Sequence, residues 1–207
     1  VWKPYDKEFV QNLKQEVELS QIDAIIVNHG EVDHSGALPL LMKEIPDTPI
    51  YCTANGVKSL TGQYHENWNF IPVKTGDTLD LGTVTLTFIE APMLHWPDTM
   101  YTFIEEEQIL VTCDSFGSHY CLKEVVSDKI QNEDDYLKAL RYYFDCIIGP
   151  YKPFMLKALD RVESLDISMV CTGHGPVLVG DRIKQVMALY REWSSVVNPN
   201  RKKTVII

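Results

Sequence analysis

Hydrophobic positions along the chain fall into three regimes. In residues 6–19, DKEFVQNLKQEVEL, Phe9, Val10, Leu13, Val17 and Leu19 recur at helical spacing. The run IDAIIVN (22–28) is continuously apolar, short and β-branched, which predicts a buried strand. SGALPLLMKEI (35–45) reads as a helix capped by Ser35, PIYCT (49–53) as a strand, and ANGVKSLTGQY (54–64) as a helix. The pattern then changes. NFIPV, the turn-rich TGDTLDLG, TVTLTFIEA, MYTFIEE and QILVTC predict a series of short strands in a β-meander rather than βαβ units. Helical spacing returns at 133–149 and 152–164, on either side of Gly149-Pro150. ISMVCT (167–172) reads as a buried strand and DRIKQVMALYREWSS (181–195) as the last helix.

Helices at both ends with strand runs between them predict an α/β protein with helix layers outside packed sheets. The order alone allows several topologies. VNPN (197–200) reads as a linker, and RKKTVII (201–207) as the start of a buried strand that belongs to a following domain. The chain opens at Val1 and runs almost at once into a helical pattern, so strands before it are also expected.

Composition narrows the function. The 207 residues favour one main domain, and an apolar fraction of 45% with 23% charged residues can bury a core without metal or disulfide staples. A metal would therefore be functional. The net charge of −10 argues against a nucleic-acid partner, since Arg201-Lys202-Lys203 is the one short basic cluster. No apolar run approaches membrane-spanning length, and no signal segment opens the chain. The expectation is a cytoplasmic protein without a membrane or nucleic-acid partner. Five cysteines (Cys52, Cys113, Cys121, Cys146, Cys171) lack CxxC pairing, which fits reduced thiols acting as small buried hydrophobes; Cys113 stands out because it adjoins Asp114.

The chemistry concentrates in His29-Gly30-Glu31-Val32-Asp33-His34, four potential metal ligands directly after the strand 22–28. A strand end fixes the backbone, and i, i+2 spacing lets His29 and Glu31 project to one side while Asp33 and His34 face a neighbouring point. That suits two adjacent metals. A loop capping a strand is the bland alternative, and one such residue would mean little. Three more candidates lie past predicted strand ends: His95 in MLHWPD, Asp114 after ILVTC, and His174 in TGHGP. One rim of the sheets can gather them all. His65 reads as surface, and His119 as a residue behind the ligands or a structural one. Tyr142 or Tyr143 is a candidate hydrogen-bond donor in the substrate pocket, with core packing as its other reading.

These motifs resemble the metallo-β-lactamase superfamily, whose usual first motif is His-x-His-x-Asp-His; here Glu31 replaces the second His. With LHWPD, Asp114-Ser-Phe-Gly, TGHGP and the trailing strand, nearly the whole chain is similar to the flavodiiron (A-type flavoprotein) family. The resemblance implies a metallo-β-lactamase-like αββα sandwich over residues 1–200, lacking its first strands. Residues 201–207 would open a flavodoxin-like FMN domain. It implies one iron held by His29, Glu31 and His95, a second by Asp33 and His174, and Asp114 between them. His34 matches the superfamily's last motif position and is carried with the set.

The implied activity is oxidoreduction: dioxygen to water, nitric oxide to nitrous oxide, or both. Electrons would come from FMN, supplied by a rubredoxin-like or flavin-reductase donor in a head-to-tail homodimer. Glu31 is the residue that argues for it. A carboxylate in place of an imidazole adds a hard anionic donor that stabilises the higher oxidation state of iron. The alternative is a binuclear metallo-hydrolase of the same fold, such as a thioesterase or lactonase, for which a His-rich zinc site suffices.

Overall fold

A computed structural model describes residues 1–196. The linker and strand expected over 197–207 lie outside the described residues.

Two sheets form the centre. The smaller holds β1 (Ile25–Ile26), β2 (Ile50–Thr53) and β3 (Phe70–Val73) in that order, all parallel. The larger has the order β4 (Thr78–Asp80), β5 (Thr85–Glu90), β6 (Met100–Ile104), β7 (Ile109–Cys113), β8 (Met169–Thr172) and β9 (Leu178–Val179). Its strands are antiparallel except for the β7–β8 pair.

Strand alternation decides which side chain meets which layer. In β2, Ile50 and Cys52 point into a cluster with Leu38, Met42 and Leu60, whereas Tyr51 packs with the other sheet. In β6, Met100 joins Val73, Leu86 and Phe88 between the sheets, while Tyr101 and Phe103 face the opposite way. Helices α1 (Asp6–Glu16), α2 (Val32–Ser35), α3 (Leu38–Glu44) and α4 (Ala54–Tyr64) belong to the small-sheet side. Helices α5 (Glu133–Tyr143), α6 (Lys152–Val162) and α7 (Asp181–Ser195) cover the outer face of the large sheet. The result is the expected αββα sandwich.

Several sequence expectations need correction. The apolar run 22–28 yields a strand at Ile25–Ile26 alone, because the chain leaves β2 and crosses to the other sheet. There the Asn28 carbonyl accepts from Met100 N at 2.9 Å and its Oδ1 accepts from Thr102 Oγ1 at 2.7 Å. Phe70–Val73 does not belong to the meander: it is parallel to β2 across α4, a βαβ unit. Ser35 caps nothing. It ends α2, and its hydroxyl donates back to the Gly30 carbonyl at 2.7 Å, while α3 starts after Ala37 without a side-chain cap. The helix at 133–149 ends as α5 and passes into a wider π-turn, Phe144–Ile148. Cys121 and Cys146 are exposed, so the buried-hydrophobe reading fails for both. The short β9 gave no periodic signal.

Candidate metal centre

The Asn28 crossing puts the next six residues at the junction of the two sheets. His29 follows at once and is buried. Gly30 must be bare, since a Cβ there would lie 2.7 Å from Asp98 Oδ2 and 3.3 Å from Ser59 Cβ. The loop is then closed from behind. Gln63 Nε2 and Ser35 Oγ both donate to the Gly30 carbonyl, at 3.1 and 2.7 Å. On the large-sheet side, Asp114 follows β7, and the backbone of Gly173 donates to Cys113 O at 2.5 Å, drawing the His174 loop alongside.

All seven expected ligands come together, in two groups. His29, Glu31, His95 and Asp114 form one; Asp33, His34 and His174 form the other, with the donor atoms of each group within 4.8 Å of one another. In the first, Glu31 Oε2 lies 3.3 Å from His29 Nε2 and 2.9 Å from His95 Nε2. In the second, Asp33 Oδ2 lies 3.2 Å from His174 Nε2 and 3.5 Å from His34 Nε2. Asp114 stands between them. Its Oδ2 is 3.3 Å from His29 Nε2, and its Oδ1 is 3.1 Å from His34 Nε2 and 3.2 Å from His174 Nε2.

Electrostatics mark these as groups built around positive charge. Burial works against the charge of Asp114, yet hydrogen bonds from His174 and His34 and the charges of His34 and His29 hold its carboxyl far below the usual range. For His29, burial disfavours the charged ring, but Asp98, Asp114 and Glu31 outweigh it and raise its pKa. The Asp114 hydrogen bond raises that of His174 against burial. Among the described residues, the buried carboxylate oxygens Asp33 Oδ1 and Asp114 Oδ2 have no hydrogen-bond partner. An orphaned buried oxygen is costly unless a cation serves it. The donor set, four imidazoles and three carboxylates, therefore fits metal.

The two tyrosines part company. Tyr142 is 68% exposed on the outer face of α5, away from the ligands. Tyr143 is buried, and its hydroxyl donates to Asp114 Oδ1 at 3.2 Å. His119 is exposed, with its ring edge-on to Tyr143 at 4.9 Å and to His174 at 5.6 Å. His65 is the exposed left-handed residue after α4. One residue of this cluster escaped the sequence reading. Asp98, 1% exposed, takes His29 Nδ1 at 3.0 Å and the Gly30 amide at 3.0 Å. Its signal was present: a carboxylate three residues past a ligand in the same loop.

A family model described as ODP family beta-lactamase matches residues 3–175. The chain belongs to this family. It is 43% identical over 201 residues to the anaerobic nitric oxide reductase flavorubredoxin of Citrobacter koseri, covering 95% of this chain and 41% of that protein. Among solved structures it is similar to the rubredoxin oxygen:oxidoreductase of Desulfovibrio gigas, with a TM-score of 0.89, 32% identity and coverage of 94% and 49%. It is likewise similar to the flavodiiron protein of Giardia intestinalis, with a TM-score of 0.89, 29% identity and coverage of 94% and 47%. The fold is thus the metallo-β-lactamase-like fold of flavodiiron proteins. The chain spans about two fifths of that curated relative and about half of each solved chain. No helix of the described residues is long and apolar enough to cross a membrane.

Proposed function

We propose that this chain is the catalytic diiron domain of an oxidoreductase that reduces nitric oxide to nitrous oxide, dioxygen to water, or both. The single observation that carries the reading is the division of Asp114, one carboxylate oxygen toward each ligand group. A shared carboxylate is what two adjacent metals need.

His29, Glu31 and His95 would hold one iron, and Asp33, His34 and His174 the other. When bound, the pair supplies electrons and an open position for a diatomic substrate. The chain's own contribution is to hold that centre and shape its surroundings. Every site histidine turns Nε2 inward, toward the carboxylates. Without metal, burial and then the charge of Asp114 push the Tyr143 phenol well above its ordinary value, so its hydroxyl donates to Asp114 and orients it. Three carboxylates for two metals favour a redox couple over zinc hydrolysis, and Glu31 makes the difference.

Coupling two nitric oxide molecules to nitrous oxide and one water consumes two electrons and two protons; dioxygen to two waters consumes four of each. Two ferrous ions hold only two electrons, so the oxygen reaction requires a nearby donor. We assign that role to FMN in a flavodoxin-like domain, reached from the partner subunit of a head-to-tail homodimer and refilled by a rubredoxin-like or flavin-reductase donor. The free cysteines support a reducing cytoplasmic setting. Iron quantification with nitric oxide and oxygen consumption on the full-length protein tests this. Two irons and turnover with either gas are expected. A zinc-loaded protein that hydrolyses thioesters or lactones and consumes neither gas would replace it with the hydrolase reading.

A further inference from the structure

The four site histidines present Nε2 inward, but their outer nitrogens differ. His29 Nδ1 meets Asp98 Oδ1 at 3.0 Å, both side chains being fully buried. Thr99 Oγ1 is 3.5 Å from the same nitrogen. His34 Nδ1 faces the sulfur of Cys113, at 3.6 Å. Among the described residues, no other site histidine sets Nδ1 against a carboxylate.

Asp98 is itself over-determined. Its second oxygen accepts the Gly30 amide at 3.0 Å, and its carbonyl accepts from Thr53 Oγ1 at 2.9 Å. The Thr53 hydroxyl also accepts from Gly56 N as the cap of α4, which ties the Asp98 backbone to the start of that helix. The bare Gly30 is what allows the oxygen so close to the ligand loop.

We propose that Asp98 is the positioning residue of the His29 metal and makes the two metal positions unequal; this rests on the dinuclear reading above. When Nε2 ligates, Nδ1 carries the proton and must donate. The Gly30 amide also donates. Both oxygens of Asp98 therefore have to accept, a requirement that a carboxylate meets and an amide does not. Whichever way Asn were turned, one N–H would face its NH2 group. An ionised partner also increases the basicity of the ring, as carboxylates behind ligating histidines do. The His29 position is thereby bound more tightly, and held more oxidised, than the position served by His34 and His174.

The test titrates metal-free full-length protein with Co(II), wild type beside Asp98→Asn, following visible absorption. The wild type should take two equivalents. In D98N one equivalent should weaken by about 10- to 100-fold while the other keeps its affinity. The EPR-monitored potential of one iron in the iron-loaded variant should rise. Unchanged affinities, or equal weakening of both equivalents, would overturn the proposal, the second because it marks a general scaffold role. If the variant does not fold, proton NMR of the wild-type Co(II) form decides. The His29 ring N–H, identified by its contact with Trp96, should exchange with solvent more slowly than those of His95 and His174; equal rates would overturn the assignment. A wild type that binds no metal fails at the earlier step, and the dinuclear reading falls with it.

Discussion

Replacing Tyr143 by Phe removes one oxygen and leaves the packing of a fully buried ring in place. What is lost is the hydroxyl bond to Asp114 Oδ1 at 3.2 Å. In the metal-free protein that oxygen also lies 3.1 Å from His34 Nε2 and 3.2 Å from His174 Nε2. Two partners remain, so the loss should cost about 1 kcal/mol or less, a fall of about 2–4 °C in Tm for a domain of this size. Loading changes the arithmetic. With Nε2 of both histidines engaged by metal, Tyr143 would be the one donor left to that oxygen among the described residues. A hydrogen bond to a charged group contributes about 1.5–3 kcal/mol, and tenfold in affinity is about 1.4 kcal/mol. Metal affinity should therefore drop by about tenfold to about a hundredfold, discounted to the extent that the metals themselves satisfy Asp114. The assay pairs calorimetric unfolding of the metal-free variant with competitive metal titration. A variant that loses several kcal/mol without metal, yet binds metal like the wild type, would refute the assignment of Tyr143 to the loaded state.

Three further outcomes follow from the geometry. Glu31→Gln keeps the shape of the ligand and removes its charge, so the reduction potential of its iron should rise in an EPR-monitored redox titration and turnover should fall; an unchanged potential with full turnover would restore the hydrolase alternative. Gly30→Ala puts a Cβ 2.7 Å from Asp98 Oδ2 and should cost about 1–3 kcal/mol in thermal unfolding, whereas a wild-type Tm would mean that this approach is not tight. Without metal, His29 and His174 titrate above their ordinary 6.5, so their contribution to stability is fully present below that pH and lost as pH rises through the raised values. Metal needs both rings unprotonated, so the gap in Tm between loaded and metal-free protein should widen from about pH 6 to about pH 8; a constant gap would contradict this.

The convergence of these side chains was legible because each sits beyond a strand end or in one tight loop, where local spacing and the period of the strands carry the information. The seven side chains expected to converge do so. What failed in the sequence was mostly long-range. Phe70–Val73 looks like one more short strand, and nothing local reveals that it pairs with β2 rather than with the meander. The run 22–28 is apolar throughout, but its pairing ends at Ile26 because Asn28 bonds to Met100 and Thr102 of the opposite sheet. Ser35 has the residue type of a helix cap, and a tertiary partner, the Gly30 carbonyl, took its hydroxyl instead. Asp98 was visible as a letter in the His95 loop, but its role depends on a contact made 69 residues away with His29. Tyr142 and Tyr143 are equivalent in sequence, and only the register of α5 against the large sheet separates the exposed ring from the one on Asp114.

The most direct measurement is anomalous diffraction at the iron and zinc edges on crystals of the full-length protein as purified. Two iron peaks about 3.5–4 Å apart are expected, one among His29, Glu31 and His95, the other among Asp33, His34 and His174, with Asp114 between them. A single peak, two zinc peaks, or iron bound away from Asp114 would contradict this.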